Sequence, residues 1–128
     1  MHTLARKEVT MPRPKVFVTR RIDADALESL EPHIDLNIWE GWFPPDRKQF
    51  LALSSDCDGL LTTVSERVDA ELMDVSPNLR VVSNMATGVD NVDIDEASRR
   101  GILIGRTPGV LDKTTAEMTV ALLFASAR

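Results

Sequence analysis

Residues 79–104, LRVVSNMATGVDNVDIDEASRRGILI, contain a complete strand–helix–strand unit. Leu79–Ser83 is an apolar, β-branched run of strand length. Asn84–Asn91, with Gly88 inside it, reads as a loop. A helix from about Asp93 then runs to Gly101, a residue suited to the left-handed conformation that closes helices. Ile102–Ile104 makes a second, very short strand. Two strands joined through a helix need a crossover connection, which makes them parallel.

The same alternation extends upstream. Lys15–Thr19 (KVFVT), after Pro14, reads as a buried first strand. Asp23 offers an N-cap to a helix in which Leu27, Leu30 and Ile34 recur at helical spacing. Leu36–Trp39 is the next strand. Gly41, Pro44 and Pro45 mark a loop, and Pro45 is placed to open a helix carrying Phe50, Leu51 and Leu53. Asp58–Val64 (DGLLTTV) is the third strand. A helix from Asp69 to Val75 follows, with Val68, Leu72 and Val75 on one face, and Ser76-Pro77-Asn78 ends it. Apolar strands without alternation imply a parallel sheet covered on both faces. The expected fold is therefore α/β: a flavodoxin-like, doubly wound, five-stranded parallel sheet over residues 15–106, preceded by an arm over 1–14.

The segment 107–128 behaves differently. Thr114-Thr115-Ala116-Glu117 matches the capping-box pattern, which predicts a helix start there. Beyond it, Met118, Val120, Ala121, Leu122, Leu123, Phe124 and Ala125 leave almost no polar face. A helix apolar all round must be buried on all sides. One sheet can cover only one side, so this helix expects a further partner surface.

Composition narrows the function classes. The chain has 128 residues, 43% of them hydrophobic, which suffices for a packed core. Its net charge of −5, with Arg20–Arg21 and Arg99–Arg100 only as isolated pairs, argues against nucleic acid. Cys57 is the single cysteine, so the chain forms no internal disulfide and no zinc cluster, and a cytoplasmic, reducing compartment fits. The apolar run Met118–Ala125 falls far short of the roughly 20 residues of a membrane span. The stretch MHTLARKEVTMPRP carries Arg6, Lys7 and Arg13 but no apolar h-region, so it is no secretory signal. It reads either as a short targeting arm or, better, as an untidy translation start ahead of Met11.

In open parallel sheets, ligands bind beyond the carboxyl ends of the strands. Two loops lie there: Thr62–Ser65 after the third strand, and Met85–Asn91 after the fourth. Gly88 frees the backbone for conformations closed to other residues, so that successive N–H groups can converge into an anion cradle without any charged side chain. A small carboxylate suits such a cradle, while a plain turn accounts for the same glycine. Asp90, Asp93 and Asp95 fall across a loop and a helix start, where capping and the helix dipole explain them better than a metal. Arg20 and Arg21 fit equally a steering pair for an anionic substrate and a solvated pair beside Asp23 and Asp25.

Three stretches carry a family resemblance. Lys15–Ile22 (KVFVTRRI) is similar to the opening strand of glyoxylate/hydroxypyruvate reductases. Asn78–Asp95 (NLRVVSNMATGVDNVDID) resembles that family's substrate loop, and Gly101–Glu117 (GILIGRTPGVLDKTTAE) the stretch leading into its interdomain helix. With spacing intact from Lys15 to Arg128, the resemblance is to the D-isomer-specific 2-hydroxyacid dehydrogenases, and within them to the glyoxylate/hydroxypyruvate branch.

The resemblance implies a substrate-binding domain over 15–106, then a hinge and interdomain helix over 107–128 leading into a nucleotide-binding domain. It implies that Thr87 and Gly88 hold the substrate carboxylate through main-chain amides, that Val64 and Ser65 line the same cleft, and that Thr115 faces a bound NAD or NADP. It further implies a small 2-oxo or 2-hydroxy acid as substrate and a homodimer as the full-length enzyme. The family's phosphate loop and its catalytic arginine, glutamate and histidine all lie further along than Arg128. Accordingly, the six glycines form no G-x-G, and neither His2, in the arm, nor His33, between a helix and a strand, suits the acid–base role. The chain alone is expected to be inactive.

Two other doubly wound classes fail on chemistry. A phosphoacceptor receiver needs acidic residues after the first strand and an Asp ending the third, where this chain has Thr19-Arg20-Arg21 and Thr62-Thr63-Val64. A flavodoxin wants a Ser/Thr/Gly-rich phosphate loop in place of the two arginines. A non-catalytic module that binds small carboxylates remains the alternative.

Overall fold

A computed structural model describes residues 12–127, so most of the N-terminal arm lies outside the described residues. The strands are β1 (Lys15–Val18), β2 (Asp35–Ile38), β3 (Gly59–Thr62), β4 (Val81–Asn84) and β5 (Leu103–Arg106). The helices are α1 (Ala24–Glu28), α2 (Arg47–Ser54), α3 (Ala70–Val75), α4 (Ile94–Arg100) and α5 (Asp112–Ser126). All strand pairs are parallel, in the order β2-β1-β3-β4-β5, the flavodoxin-like order. The carboxyl ends of all five strands therefore share one edge.

Local chemistry sets most boundaries. Asp69 and Asp93 cap α3 and α4 through Leu72 N–H and Glu96 N–H. Gly101 ends α4 at φ 71°, in the left-handed region as expected. The first helix is shorter than the Leu27, Leu30, Ile34 spacing predicts, because Pro32 cannot continue it, and residues 29–33 form turns. Pro45 does not open α2. Asp46 caps it instead, in a complete capping box with Gln49.

The capping box expected at Thr114–Glu117 does not form. Helix α5 begins two residues earlier, at Asp112, so Thr114 already lies within its first turn, and Leu111 caps it without a side-chain hydrogen bond. No residue of α5 is buried. No helix among the described residues is long and apolar enough to cross a membrane.

The core lies on one side of the sheet. Phe17, Leu60 and Val82 meet Phe50 of α2, Leu72 and Met73 of α3, and Ala97 of α4. Met73 takes the inward place expected for Val75, which is exposed. Cover of the second face is partial among the described residues: Val18 is buried there, while β4 alternates between exposed and buried positions. On the open face, Pro14, Val16, Ile34, Gly59, Val81 and Leu103 line a groove of about 620 Å3. Neither α1 nor α5 contributes a buried residue to cover it.

Candidate functional site

The site is built where β1, β3, β4 and β5 end. Thr19, Thr62 and Asn84, the residues at or just beyond the ends of β1, β3 and β4, are all fully buried. Burying such groups is tolerable only when they bond one another. Thr62 Oγ1 donates to Asn84 Oδ1 (3.0 Å), and Asn84 Nδ2 donates to Asn91 Oδ1 (3.0 Å). Asn91 Nδ2 in turn donates to the carbonyls of Thr63 (3.0 Å) and Glu66 (2.8 Å). The Glu66 carboxylate is buried, and its Oε2 accepts from Thr63 N–H (2.7 Å) and from the hydroxyls of Thr63 and Thr19 (both 3.0 Å). Glu66 Oε1 has no partner among the described residues. One polar network thus ties the 62–66 loop, the 85–91 loop and the end of β1 together.

On this base the 85–91 loop has a distinctive arrangement. Four successive carbonyls are held from within the domain, that of Val89 by the nearby Val92 N–H (2.9 Å). Ala86 C=O accepts Thr107 N–H (2.9 Å), Thr87 C=O accepts Arg106 Nη1 (2.8 Å), and Gly88 C=O accepts Asn84 Nδ2 (3.1 Å). The N–H groups of all five residues from Thr87 to Asn91 donate to no acceptor among the described residues. Thr87 and Gly88 are exposed and Val89 partly so. A polar backbone normally has its hydrogen bonds accounted for. A run of unpaired donors on exposed or partly exposed residues is therefore what an incoming anion would meet.

The predicted residues divide as follows. Thr87 and Gly88 sit in this donor array. Val64, 68% exposed, and Ser65 line an adjoining depression of about 530 Å3 with Asp90 and Asn91, so the two predicted loops do border one another. Thr115 lies on the first turn of α5, and no hydrogen bond or groove among the described residues links it to them.

The reason expected for Gly88 is corrected. Among the described residues only Gly101 and Gly109 have positive φ, so the conformation at Gly88 is open to other residues. A Cβ there would meet only Asp90 Oδ2, at 3.3 Å, the end of an exposed side chain. Arg21 is engaged with Glu40 (2.7 Å). Among the described residues no three His, Cys, Asp or Glu side chains converge as a metal site. Sequence reasoning missed Asn84, Asn91, Glu66 and Arg106. The polar residues flanking the loop were visible, but not their mutual reach.

The family model described as "D-isomer specific 2-hydroxyacid dehydrogenase, catalytic domain" matches residues 16–127. The chain belongs to this dehydrogenase family. Among its relatives, the glyoxylate reductase of Korarchaeum cryptofilum is 43% identical over 116 residues, covering 91% of this chain and 35% of that protein. The glyoxylate reductase of Thermofilum pendens is 44% identical over 120 residues, again covering 35% of the relative. The chain thus spans about a third of the length of the curated dehydrogenases it matches.

Solved structures agree. A protein from Thermus thermophilus superposes with a TM-score of 0.83 at 40% identity, over 89% of this chain and 37% of that one. An NADPH-dependent glyoxylate/hydroxypyruvate reductase from Sinorhizobium meliloti, in complex with NADP and malonate, has a TM-score of 0.65 at 30% identity, over 87% of this chain and 33% of that one.

Proposed function

We propose that this chain is the substrate-binding part of an NAD(P)-dependent reductase of small 2-oxo acids, of the glyoxylate or hydroxypyruvate type. The observation that carries the reading is the run of free N–H groups that starts with Thr87, Gly88 and Val89, each in a peptide plane whose carbonyl is clamped. A carboxylate has two oxygens with about four acceptor positions, enough for all three donors. Holding the anion by neutral amides fixes its orientation. The adjacent 2-oxo carbon is then presented to whatever faces the loop.

Val64 and Ser65 wall one side of that space, and Thr115 is assigned to the side of the cofactor. When bound, the nicotinamide supplies the hydride. The residues of this chain form no dinucleotide-binding fingerprint, so neither the cofactor's phosphate contacts nor the acid–base group is assigned to them. The Sinorhizobium meliloti relative was solved with malonate, which shares the carboxylate of the proposed substrates but not their 2-oxo group.

The test uses the full-length dehydrogenase carrying this domain. It should oxidise NADH or NADPH in the presence of glyoxylate or hydroxypyruvate. Gly88→Val should raise KM for the 2-oxo acid about tenfold, or roughly 1.4 kcal/mol, because its branched side chain would crowd both the anion and Asp90. Absence of 2-oxo-acid-dependent oxidation across a panel of such acids would count against the activity. A Gly88→Val enzyme with parental kinetics would place the carboxylate elsewhere.

A further inference from the structure

A trans peptide unit is planar, with its C=O and its N–H pointing in opposite directions. Whatever holds one residue's carbonyl therefore aims the next residue's N–H. In the 85–91 loop the free donors of Thr87, Gly88 and Val89 each have such a clamp from outside the loop or from its base. The Thr87 N–H belongs to the plane held at Ala86 C=O by Thr107 N–H (2.9 Å). The Gly88 N–H belongs to the plane held at Thr87 C=O by the Arg106 guanidinium (2.8 Å). The Val89 N–H belongs to the plane held at Gly88 C=O by Asn84 Nδ2 (3.1 Å).

Two of the three clamps are side chains, and they differ in character. Asn84 is fully buried and is itself locked by Thr62 and Asn91. Arg106 is exposed at the end of β5, nineteen residues from the carbonyl it holds, and brings a full positive charge. A cation donating into a carbonyl polarises the same amide, so the N–H across the plane becomes a stronger donor.

We propose that Arg106 and Asn84 are positioning residues of the anion cradle: each fixes one peptide plane so that its N–H faces the ligand. The proposal rests on the carboxylate reading above. Arg106 does not touch the anion in this scheme. It holds its charge behind the loop and acts through the Thr87–Gly88 peptide. The scheme makes a plane-by-plane prediction: loss of Arg106 should release the Gly88 N–H and leave the Thr87 N–H, which is held by Thr107, in place.

The chain itself, labelled with 15N, provides the test. Its amides are followed by NMR during titration with sodium glyoxylate at constant ionic strength. In the parent chain, the Thr87, Gly88 and Val89 amides should move saturably. In Arg106→Met the apparent Kd should rise threefold or more. In the ligand-free variant the residual dipolar coupling of the Gly88 N–H should change while that of Thr87 stays. Arg106→Lys, which keeps a donor and the charge, should restore part of both. Because Arg106 is exposed, these variants should retain the fold.

Three outcomes would overturn the proposal. Parental affinity and coupling in Arg106→Met would remove the positioning role and leave the cradle standing. Weakened affinity with an unchanged Gly88 coupling would make Arg106 a long-range charge only. Silence of all three amides in the parent chain would sink the cradle, and the positioning role with it.

Discussion

Asn91→Ala is the perturbation that bears hardest on how the two site loops are joined. Asn91 donates to Thr63 C=O at 3.0 Å and to Glu66 C=O at 2.8 Å, and accepts from Asn84 Nδ2 at 3.0 Å. Alanine removes these three contacts and a longer fourth from Asn91 Nδ2 to Asn84 Oδ1 (3.3 Å), and leaves two carbonyls and one buried amide proton short of partners. At a net worth of about 0.5–1.5 kcal/mol for each bond, the loss should come to about 2–4 kcal/mol. That is a large share of the roughly 5–15 kcal/mol that holds a domain folded. Urea unfolding of the chain, followed by circular dichroism, should show the midpoint falling by about 1–2 M with little change in slope. Asn91→Asp sharpens the test, since it keeps the shape and the acceptor oxygen but sets an oxygen against two carbonyls. At neutral pH it should cost at least as much as alanine. A midpoint within about 0.3 M of the parent in Asn91→Ala, or a benign Asn91→Asp, would refute the account of the network.

Two further perturbations probe stability and exposure. Burial pushes the Asp69 carboxylate up, but the Arg47 hydrogen bond, Leu72 N–H and the charges of Arg47 and Arg67 outweigh it and hold the group below its ordinary range. A depressed folded-state value contributes stability above the unfolded value of about 3.9, and that stability is lost as pH falls through the folded value. Asp69→Ala should therefore cost about 1–2 kcal/mol at pH 7, including its cap on α3, and the gap from the parent should narrow in urea titrations as pH falls below about 3.9. Helix α5 exposes Met118, Leu122, Leu123 and Phe124, the last at 70%. In the isolated chain it should fray, seen as fast hydrogen exchange, or drive self-association, seen by light scattering. A monomer with α5 as protected as the central strands would contradict that reading.

The contrast between what could and could not be read from the residues follows from range. The β-branched runs around Val16, Leu60, Val82 and Ile104 announce strands, and their separation by helices fixes parallel order, because both are properties of neighbours in sequence. Caps divide more finely. Asp69, Asp93 and Gly101 act where their types suggest. Asp46 and Gln49 form a capping box that Pro45 drew attention away from, and Thr114–Glu117 has the pattern without the structure because α5 starts at Asp112.

The site was half legible for the same reason. Thr87 and Gly88 stood out as a glycine loop at the ligand edge of the sheet. The properties that make that loop a donor array depend on Asn84, Arg106 and Thr107, and two of these lie on or beyond a different strand. Gly88 itself needs no left-handed backbone, so the freedom that first singled it out is not what the fold uses. What the fold uses is clamping. A cradle of neutral amides gains directional strength when donors pin the carbonyls behind it. Such donors need not be near the loop in sequence, only at the carboxyl ends of strands that a parallel sheet gathers along one edge.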